Sequence, residues 1–153
     1  MLLWRLSIAR YARIFDGGYG LHNEGRWNSR GTRITYAATS PALCVLEKLV
    51  HIDDPALLPP LQMVCYDAPD TLTCDETALT DLPPDWPRDA ALTRKLGDDW
   101  LKAATAPMMK VPSAVLPVPN APERNVLINH AHPDATRITL RSIEDFVLDA
   151  RLL

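Results

Sequence analysis

Hydrophobic and polar positions along the chain predict a series of short strands and two longer helices. Residues 2–8 and 61–66 combine partial alternation with large apolar side chains, which is typical of strands in a buried sheet. Further strands are predicted at residues 32–37, 109–111, 114–116, 125–128, 137–140 and 146–148. Helices are predicted at residues 42–51 and 88–104, the second broken at Gly97. Because strands and helices do not alternate regularly, the pattern favours an α+β fold on a mixed sheet.

Local signals define the start of the first helix and the loops around it. Ser40 provides a hydroxyl N-cap, and Pro41 suits the first helical position. Residues 16–31 are dense in glycine and polar groups, which predicts a loop of defined shape, because glycine permits positive φ and close backbone approach. Residues 68–87 are rich in Pro and Asp and are predicted to form surface loop.

Length, charge and cysteine content limit the classes of protein that the chain can be. With 153 residues, 47% of them hydrophobic, the chain is predicted to form a single domain over residues 1–153. The formal net charge of −3 argues against a protein that binds nucleic-acid phosphates. No apolar run is long enough for a membrane helix, and the N-terminal residues do not form a signal peptide. Three unpaired cysteines favour reduced thiols and a cytoplasmic location.

The first chemical signal is Arg26, which follows the glycine-rich segment and precedes Trp27 and Asn28. The planar guanidinium beside flexible backbone donors can bind a phosphate or pyrophosphate bidentately. The segment does not match a nucleotide-binding glycine motif, because no helix or Gly-Lys-Ser/Thr sequence follows it. On these residues alone, an equal alternative to a phosphate site is that Arg26 is a surface cation and Trp27 is a core residue.

Two further residues are candidates for a functional site: Glu47 in the predicted helix and Ser113 after a predicted strand. Glu47 lies among apolar residues at helical spacing, so its carboxylate either faces a cleft or is solvated beside Lys48. Ser113 follows Pro112 but lacks the flanking glycines of a hydrolase nucleophile, so taken singly it favours a turn. His130 and His132 lack the spacing of a metal motif and also favour a turn, so no metal site is predicted.

The order of the motifs is more specific than any one of them. From the N-terminus they are Trp4-Arg5, Gly25-Arg26-Trp27-Asn28 with Gly31, Tyr36, Ser40-Pro41-Ala42-Leu43, Leu46-Glu47 with Leu49-Val50-His51, Val111-Pro112-Ser113-Ala114-Val115, Asn125 with Leu127-Ile128-Asn129, and Phe146 with Asp149, Arg151 and Leu152. This series closely resembles the RES domain, named for its Arg, Glu and Ser, and the resemblance covers essentially the whole chain. Glu24 and residues 129–132 depart from the family pattern and affect the expected pocket rim.

The resemblance implies a fold similar to ADP-ribosyltransferases, with a largely antiparallel sheet, and an enzyme that takes NAD⁺ as its substrate. RES domains cleave the nicotinamide–ribose bond by phosphorolysis or hydrolysis, or transfer ADP-ribose to a protein. Carried over by motif, Glu47 would stabilise the oxocarbenium-like transition state and Arg26 would bind phosphate or pyrophosphate. Tyr36, expected to be exposed, would stack on a ring of the dinucleotide, and Ser113 would orient the ribose or support Glu47. Trp27 and Asn28 would complete the NAD⁺ site, and no metal is implied.

The resemblance also implies a role and a partner. RES domains are toxins of toxin–antitoxin pairs, so the expected partner is an Xre-like helix-turn-helix antitoxin that covers the cleft near Arg26. The oligomeric state is left open between a homodimer and a hetero-oligomer with the antitoxin. Three functions remain under consideration: an NAD⁺-degrading toxin, a protein ADP-ribosyltransferase that uses the same residues, and a non-catalytic interaction module or RNA-targeting toxin. The acidic charge balance counts against binding to RNA.

Overall fold

The computed structural model describes all residues, 1–153, as three helices and a seven-stranded sheet. The strands are β1 (Leu2–Ile8), β2 (Ile34–Ala38), β3 (Leu61–Asp67), β4 (Cys74–Glu76), β5 (Met108–Val111), β6 (Asn125–Asn129) and β7 (Thr139–Phe146). The helices are α1 (Gly18–His22), α2 (Pro41–Leu49) and α3 (Ala90–Ala103).

The sheet has the strand order β4-β5-β6-β2-β1-β3-β7. All neighbouring strands are antiparallel except β4 and β5, which are parallel. The predicted α+β class with a mixed, largely antiparallel sheet is therefore confirmed. None of the helices is long and apolar enough to cross a membrane.

Each face of the sheet carries its own hydrophobic core, because successive residues of a strand point to opposite faces. One face presents residues such as Leu3, Val64 and Ile128, which the segments around Ala12 and Ile138 cover. On the other face, α2 packs over β1 to β3 in a cluster of Ala38, Leu43, Cys44 and Met63. On that same face, α3 packs over β5 and β6 with Trp100, Leu101, Met109 and Leu127. The two longer helices thus share one face and lie on either side of β2.

The predicted start of α2 is confirmed, with the Ser40 hydroxyl accepting a hydrogen bond from Leu43 N–H at 3.2 Å and Pro41 in the first turn. The predicted break of α3 at Gly97 is wrong, since the helix runs unbroken from Ala90 to Ala103. Gly97 is instead a packing position, because a Cβ there would lie 1.8 Å from the carbonyl oxygen of Trp27. Helical glycine costs about 1 kcal/mol relative to alanine, and here the close approach requires it.

Three strand predictions differ from the structure. The strand predicted at residues 114–116 is absent, because Ser113 Oγ accepts hydrogen bonds from Val115 N–H and Leu116 N–H and turns the chain. The candidates at 137–140 and 146–148 fall at the two ends of β7, a single edge strand that is exposed along most of its length. The segment 68–87 contains β4, a three-residue strand too short to leave a hydrophobic pattern.

The three cysteines are free thiols, as predicted, with Cys44 and Cys65 buried and Cys74 half-buried. Burial raises the pKa of Cys44 to about 12, and its thiol donates to the carbonyl oxygen of Trp4 at 3.1 Å. These thiols are packing residues of the sheet and of α2.

Candidate functional site

Glu47 is the centre of a small polar cluster at one end of the sheet. It lies on α2 and is half-buried. Its Oε1 accepts two hydrogen bonds, from Ser113 Oγ at 2.7 Å and from Asn125 Nδ2 at 2.6 Å. Its other carboxylate oxygen makes no hydrogen bond or ion pair within the protein. The alternative of a solvated carboxylate beside Lys48 is therefore wrong.

Ser113 reaches Glu47 because the chain turns sharply after β5. Its side chain is 2% exposed, and its oxygen both donates to Glu47 and accepts two backbone N–H groups. Those two N–H bonds occupy the lone pairs of the hydroxyl, so its single hydrogen is directed to Glu47. Of the two expected roles of Ser113, the geometry matches support of Glu47.

Asn125 was not singled out as a site residue by the sequence reasoning. It is the first residue of β6, opposite Ala38 of β2 and Val111 of β5 in the register. An isolated asparagine at a strand start has no distinctive spacing, and only the strand order brings it to Glu47. The signal available in the sequence was its place in the motif Asn125-x-Leu127-Ile128-Asn129.

Tyr36 lies in the middle of β2 and is half-buried rather than exposed as expected. Its hydroxyl donates to Asn28 Oδ1 at 2.6 Å and accepts from Trp27 N–H at 3.0 Å. Burial raises the pKa of this phenol above its usual value, so it stays protonated in the neutral range. The hydroxyl therefore fixes the segment of Trp27 and Asn28 against the strand.

That segment is a tight turn closed by Gly25 N–H donating to the Asn28 carbonyl oxygen at 3.0 Å. A Cβ at Gly25 would lie 2.5 Å from the Tyr36 hydroxyl, so the turn approaches the strand closely only with glycine there. Arg26 occupies the turn and is half-buried. Its Nη1 is buried and has no hydrogen-bond partner within the protein.

Trp27 and Asn28 lie inside the protein. Trp27 is 1% exposed and packs against Trp86, with ring centroids 6.2 Å apart. Asn28 is 0% exposed, and its Nδ2 donates to the carbonyl oxygens of Asn23 and Ser29. Since its Oδ1 is also bound by Tyr36, the Asn28 amide is satisfied by protein groups. Both residues hold the turn in shape.

The strand register places these groups on one face of the sheet. Tyr36 pairs with Leu127 and Ala38 pairs with Asn125, so Tyr36 and Asn125 lie on the same face. Glu47 reaches that face from α2, and the Arg26 turn rests on Tyr36 next to α3. The Glu47 carboxylate, which has one free oxygen, and the turn that carries Arg26 thus lie over the same face of the sheet.

The histidines and a separate concavity lie outside this cluster. His130 Nε2 is 2.9 Å from Thr35 Oγ1, and His132 Nδ1 accepts from Asp134 N–H at 3.1 Å, as in the predicted turn. No group of three or more His, Cys, Asp or Glu side chains is placed to hold a metal. A concavity of about 620 Å³ lies between the loop 29–33 and the end of α3, and none of the predicted site residues lines it.

Comparison with known proteins matches the RES domain model over residues 2–149. The chain is similar to a protein named Toxin Res from Pseudomonas putida, with 38% identity over 99% of both chains. It is also similar to a protein named Prs ADP-ribosylating toxin from a Sphingobium species, with 34% identity over 98% of this chain and 95% of the relative.

The fold resembles a solved toxin–antitoxin complex. A chain of the Mycobacterium tuberculosis MbcT–MbcA complex superposes with a TM-score of 0.73, covering 95% of this chain and 83% of that one at 16% identity. At this identity the match supports the fold. The RES match and the two relatives extend over nearly the whole length, so the similarity covers every element described above. The chain therefore belongs to the RES domain family of toxins.

Proposed function

We propose that the protein is the toxin of a toxin–antitoxin pair and that it consumes NAD⁺ by cleaving the nicotinamide–ribose bond. One observation carries the proposal: Ser113 and Asn125 hold one oxygen of Glu47, and the other oxygen is free over the sheet face that bears Tyr36 and, resting on Tyr36, the turn of Arg26. The family match and the name of the Sphingobium relative support a reaction that uses NAD⁺.

Glu47 acts on the charge that develops as the bond breaks. The bond between ribose C1′ and nicotinamide nitrogen breaks with its electron pair on nicotinamide, which leaves as a neutral molecule. The ribose becomes oxocarbenium-like, and a fixed carboxylate beside it lowers the energy of that state. Two hydrogen bonds to Oε1 fix the carboxylate in advance, and its free oxygen can accept a hydrogen bond from the 2′-hydroxyl. An oxygen of water or phosphate then bonds to C1′, and any proton that this oxygen carries is released to solvent.

Arg26 and Tyr36 bind the rest of the dinucleotide. The guanidinium offers a planar fork to the diphosphate, and its unpaired buried N–H has unmet hydrogen-bonding capacity. The ring of Tyr36 offers a flat surface for a base, while its hydroxyl holds the turn. Trp27 and Asn28 contribute by supporting that turn from inside the protein.

A single assay tests the proposed reaction and identifies the acceptor. Purified protein is incubated with NAD⁺, with and without inorganic phosphate, and the products are identified by mass. Hydrolysis yields nicotinamide and ADP-ribose in both samples, whereas phosphorolysis yields a phosphorylated ADP-ribose only with phosphate. Intact NAD⁺ in both samples, with correctly folded protein, would overturn the proposal.

Transfer of ADP-ribose to a protein is the second candidate, favoured by the name of the Sphingobium relative. It uses the same residues with a protein nucleophile in place of water or phosphate. NAD⁺ labelled in the adenosine half distinguishes the two, since a labelled protein band from a cell extract appears only in this case. An interaction module or RNA-targeting toxin would show no turnover of NAD⁺ and a gain in nucleic-acid affinity at low salt.

The proposed partner is an Xre-like helix-turn-helix antitoxin that inserts a segment near Arg26. An uninhibited NAD⁺ consumer would kill its host cell, and the fold is that of a chain in a toxin–antitoxin complex. We expect the purified complex to lose NAD⁺ turnover, which the free protein retains at the same concentration. Equal turnover by the complex and the free protein would contradict occlusion of the site.

A further inference from the structure

One face of α3 contacts the turn that carries Arg26. The contacting residues are Thr93, Arg94, Gly97 and Asp98, whose spacing along the helix places them on one side of it. We call this set the α3 clamp. The side-chain hydrogen bonds and the ion pair that it makes outside α3 all go to residues 24–29, the turn and its immediate flanks.

Thr93 holds Arg26 directly. Its side chain is 0% exposed, and its Oγ1 donates to the carbonyl oxygen of Arg26 at 2.7 Å. The next residue, Arg94, donates from Nε to the carbonyl oxygen of Gly25 at 3.3 Å and pairs with Glu24 at 3.5 Å. The carbonyl groups of Gly25 and Arg26, which flank the Arg26 α-carbon, thus accept hydrogen bonds from adjacent residues of one helix.

The following helical turn continues the same pattern. Gly97 lets the helix backbone approach the carbonyl group of Trp27, where a side chain would collide with it. Asp98 accepts from the Ser29 N–H at 2.7 Å and from the Ser29 hydroxyl at 2.5 Å. From the other side, the Tyr36 hydroxyl accepts from Trp27 N–H at 3.0 Å. The backbone of the turn is therefore held by a helix on one side and a strand on the other.

We propose that the α3 clamp positions Arg26 for the diphosphate of its ligand, with Thr93 and Asp98 as positioning residues; this rests on the proposed function. The clamp fixes the backbone of the turn, while the guanidinium keeps a buried N–H without a protein partner. Because the backbone that carries the guanidinium is already fixed, less conformational entropy is lost when an anion binds it. Binding of the diphosphate is thus set by residues that never touch it.

A double-mutant cycle tests this coupling. Thr93→Val removes the hydroxyl at nearly constant volume, Thr93→Ser retains it, and Arg26→Ala removes the group being positioned. The measurement is the Kd of ADP-ribose by calorimetry. We expect Thr93→Val to weaken binding by about tenfold, because the Arg26 carbonyl group loses its hydrogen bond and the turn is no longer held in position, and Thr93→Ser to bind nearly as the wild type. In the Arg26→Ala background, Thr93→Val should add nothing, because the positioned group is gone.

Further variants keep the cycle interpretable. Lys95→Ala, on the outer side of α3 where Lys95 pairs only with Asp99, should leave the Kd unchanged. Asp98→Asn offers a second perturbation of the clamp if Thr93→Val does not fold. For NAD⁺ turnover, the clamp variants should raise KM with little change in kcat, because the diphosphate is remote from the breaking bond.

The outcomes separate this inference from the proposed function. An unchanged Kd in Thr93→Val, equal weakening in both backgrounds, or no binding of ADP-ribose by the wild type would overturn the clamp. If the wild type binds ADP-ribose with the predicted cycle but does not consume NAD⁺, the proposed reaction fails and the clamp stands. If it consumes NAD⁺ while the cycle is additive, only the clamp fails.

Discussion

At the scale of single residues, the molecule joins a carboxylate to two neutral hydrogen-bond donors. Ser113 and Asn125 both donate to one oxygen of Glu47, which fixes the direction of the group without neutralising its charge. A lysine or arginine in their place would stabilise the carboxylate but would compete with a cationic ribose for it. Neutral donors therefore suit a carboxylate whose proposed task is to meet a developing positive charge.

Glu47→Gln tests that task while preserving the shape of the side chain. Its amide oxygen can still accept from Ser113 and Asn125, so the fold should be unchanged. We expect NAD⁺ turnover to fall by about 100-fold or more, the usual effect of removing electrostatic stabilisation of a transition state. Product formation under saturating NAD⁺ is the measurement.

The matched control is Glu144→Gln on the exposed edge strand β7, which removes the same charge far from Tyr36 and Arg26. It should retain wild-type turnover. If Glu47→Gln consumed NAD⁺ as fast as this control, Glu47 would have no part in the chemistry.

At the scale of elements, α3 combines packing and site support in one helix. Its apolar side fills a core with Trp86 and Leu127, while the α3 clamp holds the Arg26 turn. Gly97 joins the two roles, since it brings the helix within contact of the Trp27 carbonyl group. Glycine has a low helix propensity, but at position 97 it permits the close contact between α3 and the Trp27 carbonyl group.

Gly97→Ala should destabilise the protein although alanine is the better helix former. The added Cβ would lie 1.8 Å from the carbonyl oxygen of Trp27, so either the helix or the turn must move. We expect a loss of about 2 kcal/mol in the free energy of unfolding, within the usual range for overpacking. Urea denaturation measures it.

Lys95→Ala, at an exposed position of the same helix, serves as the reference and should change stability little. A Gly97→Ala variant as stable as wild type would show that the helix and the turn are not in close contact in solution.

At the scale of the whole molecule, the second face of the sheet has its own cluster of aromatic and polar side chains around the buried Tyr66. Phe15 stacks on Tyr66 with centroids 4.3 Å apart and meets His130 edge-on at 4.7 Å. Arg5 donates to the carbonyl oxygens of Tyr11, Ala12 and Ile14, and so ties the segment after β1 to the sheet. This face stabilises the fold and lies opposite the Glu47 cluster.

The His130 ring makes stability depend on pH. Burial lowers the pKa of His130 to about 4, against 6.5 for the free side chain. Between these values the unfolded chain binds a proton that the folded protein does not, so the free energy of unfolding should fall as pH decreases from 6.5 to 4. Above 6.5 the group should have no effect. Denaturation at a series of pH values measures the slope.

His130→Gln should flatten this pH dependence, whereas His22→Gln, at an exposed position, should leave it as in the wild type. An equally steep fall in the His130→Gln variant would assign the effect to other groups.

The sequence by itself determined the local elements and the chemical groups of the site. The hydrophobic pattern placed β1, β3, β5, β6 and both longer helices close to their observed bounds, because their apolar residues and the Ser40 cap act over short distances. It missed the continuity of β7, since this edge strand is largely exposed and its residues 141–145 are polar apart from Ile143. The motif series singled out Arg26, Tyr36, Glu47 and Ser113.

Only the tertiary structure decided how those groups meet. The strand order brings Asn125 beside Glu47, from a position 78 residues away in the chain. It also turns Tyr36, Trp27 and Asn28 inward as supports of the Arg26 turn, which the residue types alone left open. The reason is physical: periodicity and capping report interactions between near neighbours, whereas the partners of a buried polar group are set by the register of strands and helices distant in sequence.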